Sequence, residues 1–268
     1  MYRVNPKLSR SAGVIAMITS LSLAVGASSA CADDSAPPAG ATNSAKTVLV
    51  TGANRGLGLE FARQYAAAGW QVIGTARDPE SATELKALDV RVMQLDVSDP
   101  ASIAALAEGL GGQSLDLLIN NAGIMDRTSS LADVDFATVD RILAVNTIGP
   151  MRVTRALLPN LRRGKTRQIV NITSGLGSIE NNVSGGFCGY RESKSALNMF
   201  TRSLAADLKS DGFTCIAMSP GWVQTDMGGP NANLTPEESI AGMRKVIDGL
   251  TPAESGTMWS WDGSSLAW

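Results

Sequence analysis

The chain has 268 residues, 44% of them hydrophobic and 18% charged, a composition that favours one sizeable α/β domain. Its formal charge of −2, with no polybasic cluster, argues against nucleic acid or an anionic membrane surface as a partner. Histidine is absent, which excludes Ser-His-Asp triads, Cys-His pairs and histidine-ligated metals and leaves Tyr, Lys, Asp, Glu or Cys as any general acid or base. Cys31, Cys188 and Cys215 are widely separated without CxxC spacing, so no metal site or dithiol is expected.

Arg3, Lys7 and Arg10 precede an apolar run over 12–27 that ends in Ser28, Ser29, Ala30, Cys31 and Ala32. Charge, apolar run and an A-x-A ending predict a signal peptide over 1–32, cleaved to leave a mature chain from near Asp33. An uncleaved anchor is the competing reading, against which the run is short for a span. Residues 33–45, rich in Pro, Ala, Gly and Ser, read as a flexible linker, placing the domain at 46–268. The protein is exported, periplasmic or secreted, if the leader is used and cytoplasmic if it is not; after cleavage no membrane association is expected.

Beyond the linker, apolar runs of strand length alternate with amphipathic runs of helix length. Strands are predicted at 47–51, 71–75, 90–95, 115–119, 168–173, 214–218 and 257–261, and helices at 57–68, 102–110, 136–161, 189–209 and 236–249. This alternation specifies an α/β fold, a single doubly wound parallel sheet of about seven strands with helices on both faces. Ligands of such sheets bind beyond the carboxyl ends of the strands, so functional residues are expected just after strands.

The first strand runs into Thr51-Gly52-Ala53-Asn54-Arg55-Gly56-Leu57-Gly58, a glycine-rich turn opening a helix. Glycines there permit close approach of a pyrophosphate to backbone amides at a helix N-terminus. A free 2′-phosphate needs a cation and a 2′-hydroxyl an acid; the second predicted strand is followed by Ala76 and Arg77, with Arg55 a second cation in the turn. This favours NADP(H) over NAD(H), although a slip of two positions would offer Asp78 as an acidic acceptor. On a later helix, Tyr190 and Lys194 form a Y-x-x-x-K pair on one face, where an ammonium favours the phenolate of its neighbour.

The glycine pattern, Asn120-Asn121-Ala122-Gly123, Asp96-Val97 and the Tyr190/Lys194 pair occur in the order found in the short-chain dehydrogenase/reductase family, and the resemblance covers essentially 46–268. It implies a Rossmann-type fold and a catalytic tetrad of Asn146, Ser174, Tyr190 and Lys194. Ser174, after the fifth strand, would bind the substrate oxygen, and Asn146 would hold a water beside the lysine. It further implies cofactor contacts from Gly52, Asn54, Arg55, Gly56, Leu57 and Gly58 in the turn, Arg77, Asp96 and Val97, and Asn120, Ala122 and Gly123. Tyr190, Lys194, the Val223 backbone and the Thr225 hydroxyl would complete them. The segment 184–191 and the Trp-rich ending resemble the C-factor and Sniffer carbonyl-reductase branch, while Trp259, Trp261 and Trp268 read equally as packing residues.

The activity implied is hydride transfer between NADP(H) and a small carbonyl or alcohol substrate, with Tyr190 as general acid/base. The alternative from another class is a nucleotide-binding signalling protein of C-factor type in which turnover is secondary. Two long helices could pair in a homodimer.

Overall fold

The computed structural model describes residues 45–128 and 130–268, so the expected leader over 1–32 and the linker up to residue 44 lie outside the described residues. Among the described residues seven strands form: β1 (Thr47–Val50), β2 (Gln71–Ala76), β3 (Arg91–Gln94), β4 (Leu117–Asn120), β5 (Gln168–Ile172), β6 (Thr214–Ser219) and β7 (Met258–Ser260). All pair in parallel in the order β3-β2-β1-β4-β5-β6-β7. The order reverses between β1 and β4, which opens the ligand crevice there.

Successive residues of a strand point to opposite faces, and both faces are covered. In β1, Val48 and Val50 join a core with Phe61, Tyr65, Met243 and Ile247. Leu49 faces the other way, toward Leu106, Leu118, Leu157 and Leu161. The first face is covered by α1 (Gly56–Ala67) and α7 (Pro236–Asp248), the second by α3 (Pro100–Leu110), α5 (Gly149–Arg162) and α6 (Tyr190–Asp207).

Two local features depart from the sequence expectation. A one-turn helix, α2 (Thr83–Lys86), stands between β2 and β3, too short to leave an apolar period. The helix expected over 136–161 is broken into α4 (Phe136–Leu143), a π-helical turn at Ala144–Ile148, and α5. The inserted residue of a π turn redirects side chains relative to the α pattern, and such turns concentrate at functional sites. Asn146 lies at the centre of this one. Among the described residues, no helix is long and apolar enough to cross a membrane.

Candidate active site

The glycine turn is held from both neighbouring strands. Thr51 Oγ1 accepts from the amides of Asn121 and Ala122, each at 3.0 Å, and Asn121 Nδ2 donates back to the carbonyls of Thr51 (2.9 Å) and Gly52 (3.1 Å). The Gly52 amide reaches Thr75 Oγ1 on β2. Gly56 has φ +53°, and a Cβ at Gly58 would lie 2.1 Å from the Gly52 carbonyl oxygen, so a side chain there would force the helix off the turn. Capping sharpens the picture. Side chains of Asp99, Asp135 and Thr235 cap α3, α4 and α7, whereas among the described residues no side chain caps α1. Its first amides and the positive end of its dipole are left for an external anion, as a dinucleotide pyrophosphate would supply.

Ala76 is the last residue of β2, and Arg77 follows it, exposed, on the same rim. Asp78 accepts from the Glu80 amide at 3.0 Å, closing its own turn. Asp96, just past β3, accepts from the Ser98 amide (2.8 Å) and hydroxyl (2.6 Å). These bonds, foremost the hydroxyl, and more weakly Arg77 hold its carboxyl below the usual range. Val97 is buried against Gly149. Asn54 and Arg55 are exposed and Leu57 half-buried, with Leu57 packed on the α1-side core. Arg55 reaches across the crevice mouth to Asp226 at 2.7 Å, in the same post-β6 segment as Val223 and Thr225, and a Cβ on Gly56 would touch Thr225 Cγ2 at 3.5 Å. The turn and the post-β6 segment thus flank one slot.

The chemical end is buried. Tyr190 is the first residue of α6, with Lys194 one turn on; they are 6% and 4% exposed. Glu192 fixes the start of the helix by accepting from the Gly189 amide at 2.6 Å. Ser174, half-buried at the carboxyl end of β5, accepts from the Leu176 amide at 3.1 Å. Burial raises the Tyr190 pKa, and the nearby Ser174 hydroxyl offsets part of that rise. Lys194 Nζ donates to the Ile172 carbonyl at 2.9 Å and sits 5.7 Å from the centroid of the Tyr190 ring. Desolvation pushes its pKa down to about 8. Asn146 is wholly buried: its Oδ1 accepts from the Ile124 amide and its Nδ2 donates to the Ile124 carbonyl, both at 2.8 Å, and to Ser193 Oγ at 3.0 Å. A Cβ on Gly123 would lie 3.3 Å from Asn146 Oδ1 and 3.6 Å from Lys194 Nζ, so these three meet on one wall.

The structure therefore brings the four tetrad positions together beside Gly123 and Ala122. One expected contact faces elsewhere. The Asn120 side chain is buried, donating to Thr154 Oγ1 (3.1 Å) and Asn171 Oδ1 (2.8 Å), which ties β4 to β5 and α5. Its neighbour Asn121, not singled out from the sequence, is the residue that grips the glycine turn. Strand alternation past Ile119 was the signal that separates the two, since consecutive residues face opposite sides. Asp226 was also missed; an acid on a loop carries no period.

The short chain dehydrogenase family profile matches residues 46–234. The chain is 37% identical over 231 residues to the 1-hydroxy-2-glutathionyl-2-methyl-3-butene dehydrogenase of Rhodococcus sp. (strain AD45), covering 83% of this chain and 99% of that one. It is 47% identical over 154 residues to C-signal of Myxococcus xanthus, covering 58% of this chain and 93% of that one. Among solved structures it resembles the NADPH-bound carbonyl reductase from chicken fatty liver (TM-score 0.78, 38% identity, 84% and 99% of the two chains). It also resembles the carbonyl reductase Sniffer of D. melanogaster (TM-score 0.79, 33% identity, 84% and 100%). With the sheet order, the crevice and the matched profile in agreement, the chain belongs to the short chain dehydrogenase family.

Proposed function

We propose that this chain is an NADP(H)-dependent carbonyl reductase with Tyr190 as proton donor, Ser174 and Lys194 as its partners and Asn146 as the residue that shapes their wall. The observation that carries the reading is the buried Tyr190 with Lys194 Nζ 5.7 Å from its ring centroid, on the wall that Asn146 and Gly123 share, and with the half-buried Ser174 at the facing end of β5. Bound NADPH would supply the hydride for a carbonyl carbon. Ser174 orients the substrate oxygen, and Tyr190 gives its phenolic proton to that oxygen as negative charge develops there. Lys194, with a pKa near 8, donates to the crevice wall and can carry a proton between Tyr190 and solvent. Asn146 locks the Ile124 backbone and, through Ser193, the start of α6.

The residues proposed to hold the cofactor are Gly52, Asn54, Arg55, Gly56, Leu57 and Gly58 at the pyrophosphate, Asp96 and Val97 at the adenine, and Ala122, Gly123, Val223 and Thr225 toward the nicotinamide. Asn120 contributes by tying the strand ends. NADP(H) over NAD(H) rests on Arg77 and Arg55 for the 2′-phosphate and on the absence of an acid at Ala76; relatives of known structure hold NADP as well. Dissociation constants for NADPH and NADH test this, and tighter binding of NADH would overturn it.

The signalling alternative is favoured by one observation, the likeness to C-signal. Turnover on an aldehyde or ketone panel separates the two, because a signalling protein with secondary turnover binds cofactor and reduces none at a useful rate. The proposed layout is a leader over 1–32, a linker over 33–45 and the enzyme domain over 46–268; N-terminal sequencing of the natively expressed protein tests it, with an intact Met1 overturning cleavage.

A further inference from the structure

Ser174 and Tyr190, which must face the same substrate oxygen, are the two ends of one loop. That loop carries no regular element beyond the short turn at Gly175–Gly177, and its second half is bent by a run of left-handed residues: Gly185 (φ +63°), Gly186 (+69°), Phe187 (+54°) and Gly189 (+82°). A positive φ at Phe187 is strained for a side chain of that size and needs surrounding contacts to persist. Those contacts converge on Arg191, the residue after Tyr190. It is 7% exposed, and among the described residues no carboxylate pairs with it. Its Nε donates to the carbonyls of Gly185 and Gly186, each at 3.1 Å, Nη1 to the Leu176 carbonyl at 3.2 Å and Nη2 to Ser184 Oγ at 3.0 Å. The Phe187 ring lies 5.9 Å from its guanidinium carbon.

Resting on the reading of Tyr190 as the acid, we propose that Arg191 is a positioning residue that sets the separation of Ser174 and Tyr190. One step along a helix turns a side chain by about 100°, so Arg191 faces the loop while Tyr190 faces the crevice. The planar fork reaches the loop both just after Ser174 and just before Tyr190, so a single rigid group crosslinks the two ends of the segment that separates the reacting hydroxyls. The left-handed run is what turns the Gly185 and Gly186 carbonyls toward one nitrogen. An ammonium on a flexible stem would serve fewer of these acceptors and would leave the two ends free to drift.

Arg191→Lys is the test, in the full-length protein saturated with NADPH. Misplacement of reacting groups by about 1 Å costs up to about a hundredfold, so turnover should fall by about ten- to a hundredfold with NADPH affinity unchanged. Because the nearby Ser174 hydroxyl offsets the burial that raises the Tyr190 pKa, drawing the two apart should also move the pH–rate profile for alcohol oxidation to higher pH. Amide hydrogen exchange over 176–187 should quicken. Arg191→Lys with parental turnover, profile and exchange overturns the proposal. Should that variant fail to fold, Ser184→Ala removes one acceptor at an exposed position, and a fall of about two- to tenfold supports the clamp while unchanged turnover overturns it. Faster exchange in Arg191→Lys together with parental turnover in Tyr190→Phe would leave the clamp standing and sink the acid assignment instead.

Discussion

The nucleotide end of the crevice is made of backbone and exposed cations, whereas the chemical end is made of buried side chains. Arg55 and Arg77 stand in solvent around free α1 amides, while Tyr190, Lys194 and Asn146 are exposed by 6%, 4% and 0%. A ligand that must leave after every turnover suits a hydrated rim, where charge-assisted bonds form and break cheaply. Groups that must meet a developing charge at fixed positions suit a dry wall, where dipoles are already oriented. The second design costs stability: the buried Lys194 ammonium has a carbonyl as its partner and carries a desolvation penalty.

If this contrast is right, substitutions at the two ends should separate turnover from affinity. The largest effect is expected for Tyr190→Phe, which keeps the ring and removes the proton. Its reductase turnover should fall by about two to four orders of magnitude with the NADPH dissociation constant unchanged, as single-turnover kinetics and fluorescence titration would read. Gly58→Ala is the converse. Its Cβ would meet the Gly52 carbonyl oxygen at 2.1 Å, so the α1 amides must shift away from the turn. Dinucleotide affinity should weaken by about a hundredfold for NADPH and NADH alike, with destabilisation of about 1–3 kcal/mol in denaturant unfolding.

A narrower cut within the nucleotide end comes from Arg77→Ala. Losing a charge-assisted contact of about 1.5–3 kcal/mol should weaken NADPH by about ten- to a hundredfold and leave NADH nearly unchanged. Adding Ala76→Asp should reverse the preference. Arg55→Ala should act more weakly, since Asp226 already engages that guanidinium. Equal weakening of both cofactors in Arg77→Ala would show that the rim supports the fold and does not read the phosphate.

The smallest expected effect concerns stability. Lys194 has its pKa lowered from 10.5 to about 8, so between those values the unfolded chain holds a proton that the folded chain has released. Stability therefore rises with pH across that window and carries a penalty below it. Lys194→Met should remove the penalty and raise the thermal midpoint at pH 7 by a few degrees. It should flatten the extra rise between about pH 8 and 10 relative to the parent and abolish efficient turnover. A variant that is less stable than the parent at pH 7 would mean that the Ile172 carbonyl bond outweighs the desolvation.

Much of this is legible in the amino-acid sequence. Largely apolar runs marked the inner strands because a parallel sheet covered on both faces leaves no polar alternation to blur them, while the edge strand β3, Arg91–Gln94, is half polar and partly exposed. The glycine turn and the Tyr190/Lys194 spacing were readable because each encodes geometry within a few residues. What the sequence concealed depends on long-range packing. The inward turn of Asn120 is fixed by Thr154 and Asn171, the π turn at Asn146 by contacts with Ile124 and Ser193, and the cage around Arg191 by a loop whose bends come from backbone angles. Arg191 stands at one of the three unspecified positions of the Y-x-x-x-K pattern, which carries no signal of this cage.

The most direct measurement is rapid mixing of the full-length protein and NADPH with a panel of aldehydes and ketones, following reduced-nicotinamide absorbance and product alcohol together. For at least one carbonyl, absorbance should fall in step with alcohol formed, one for one, and Tyr190→Phe should bind NADPH equally while showing neither signal. Tight NADPH binding with no carbonyl reduced by the parent, or equal reduction by parent and Tyr190→Phe, would contradict the assignment.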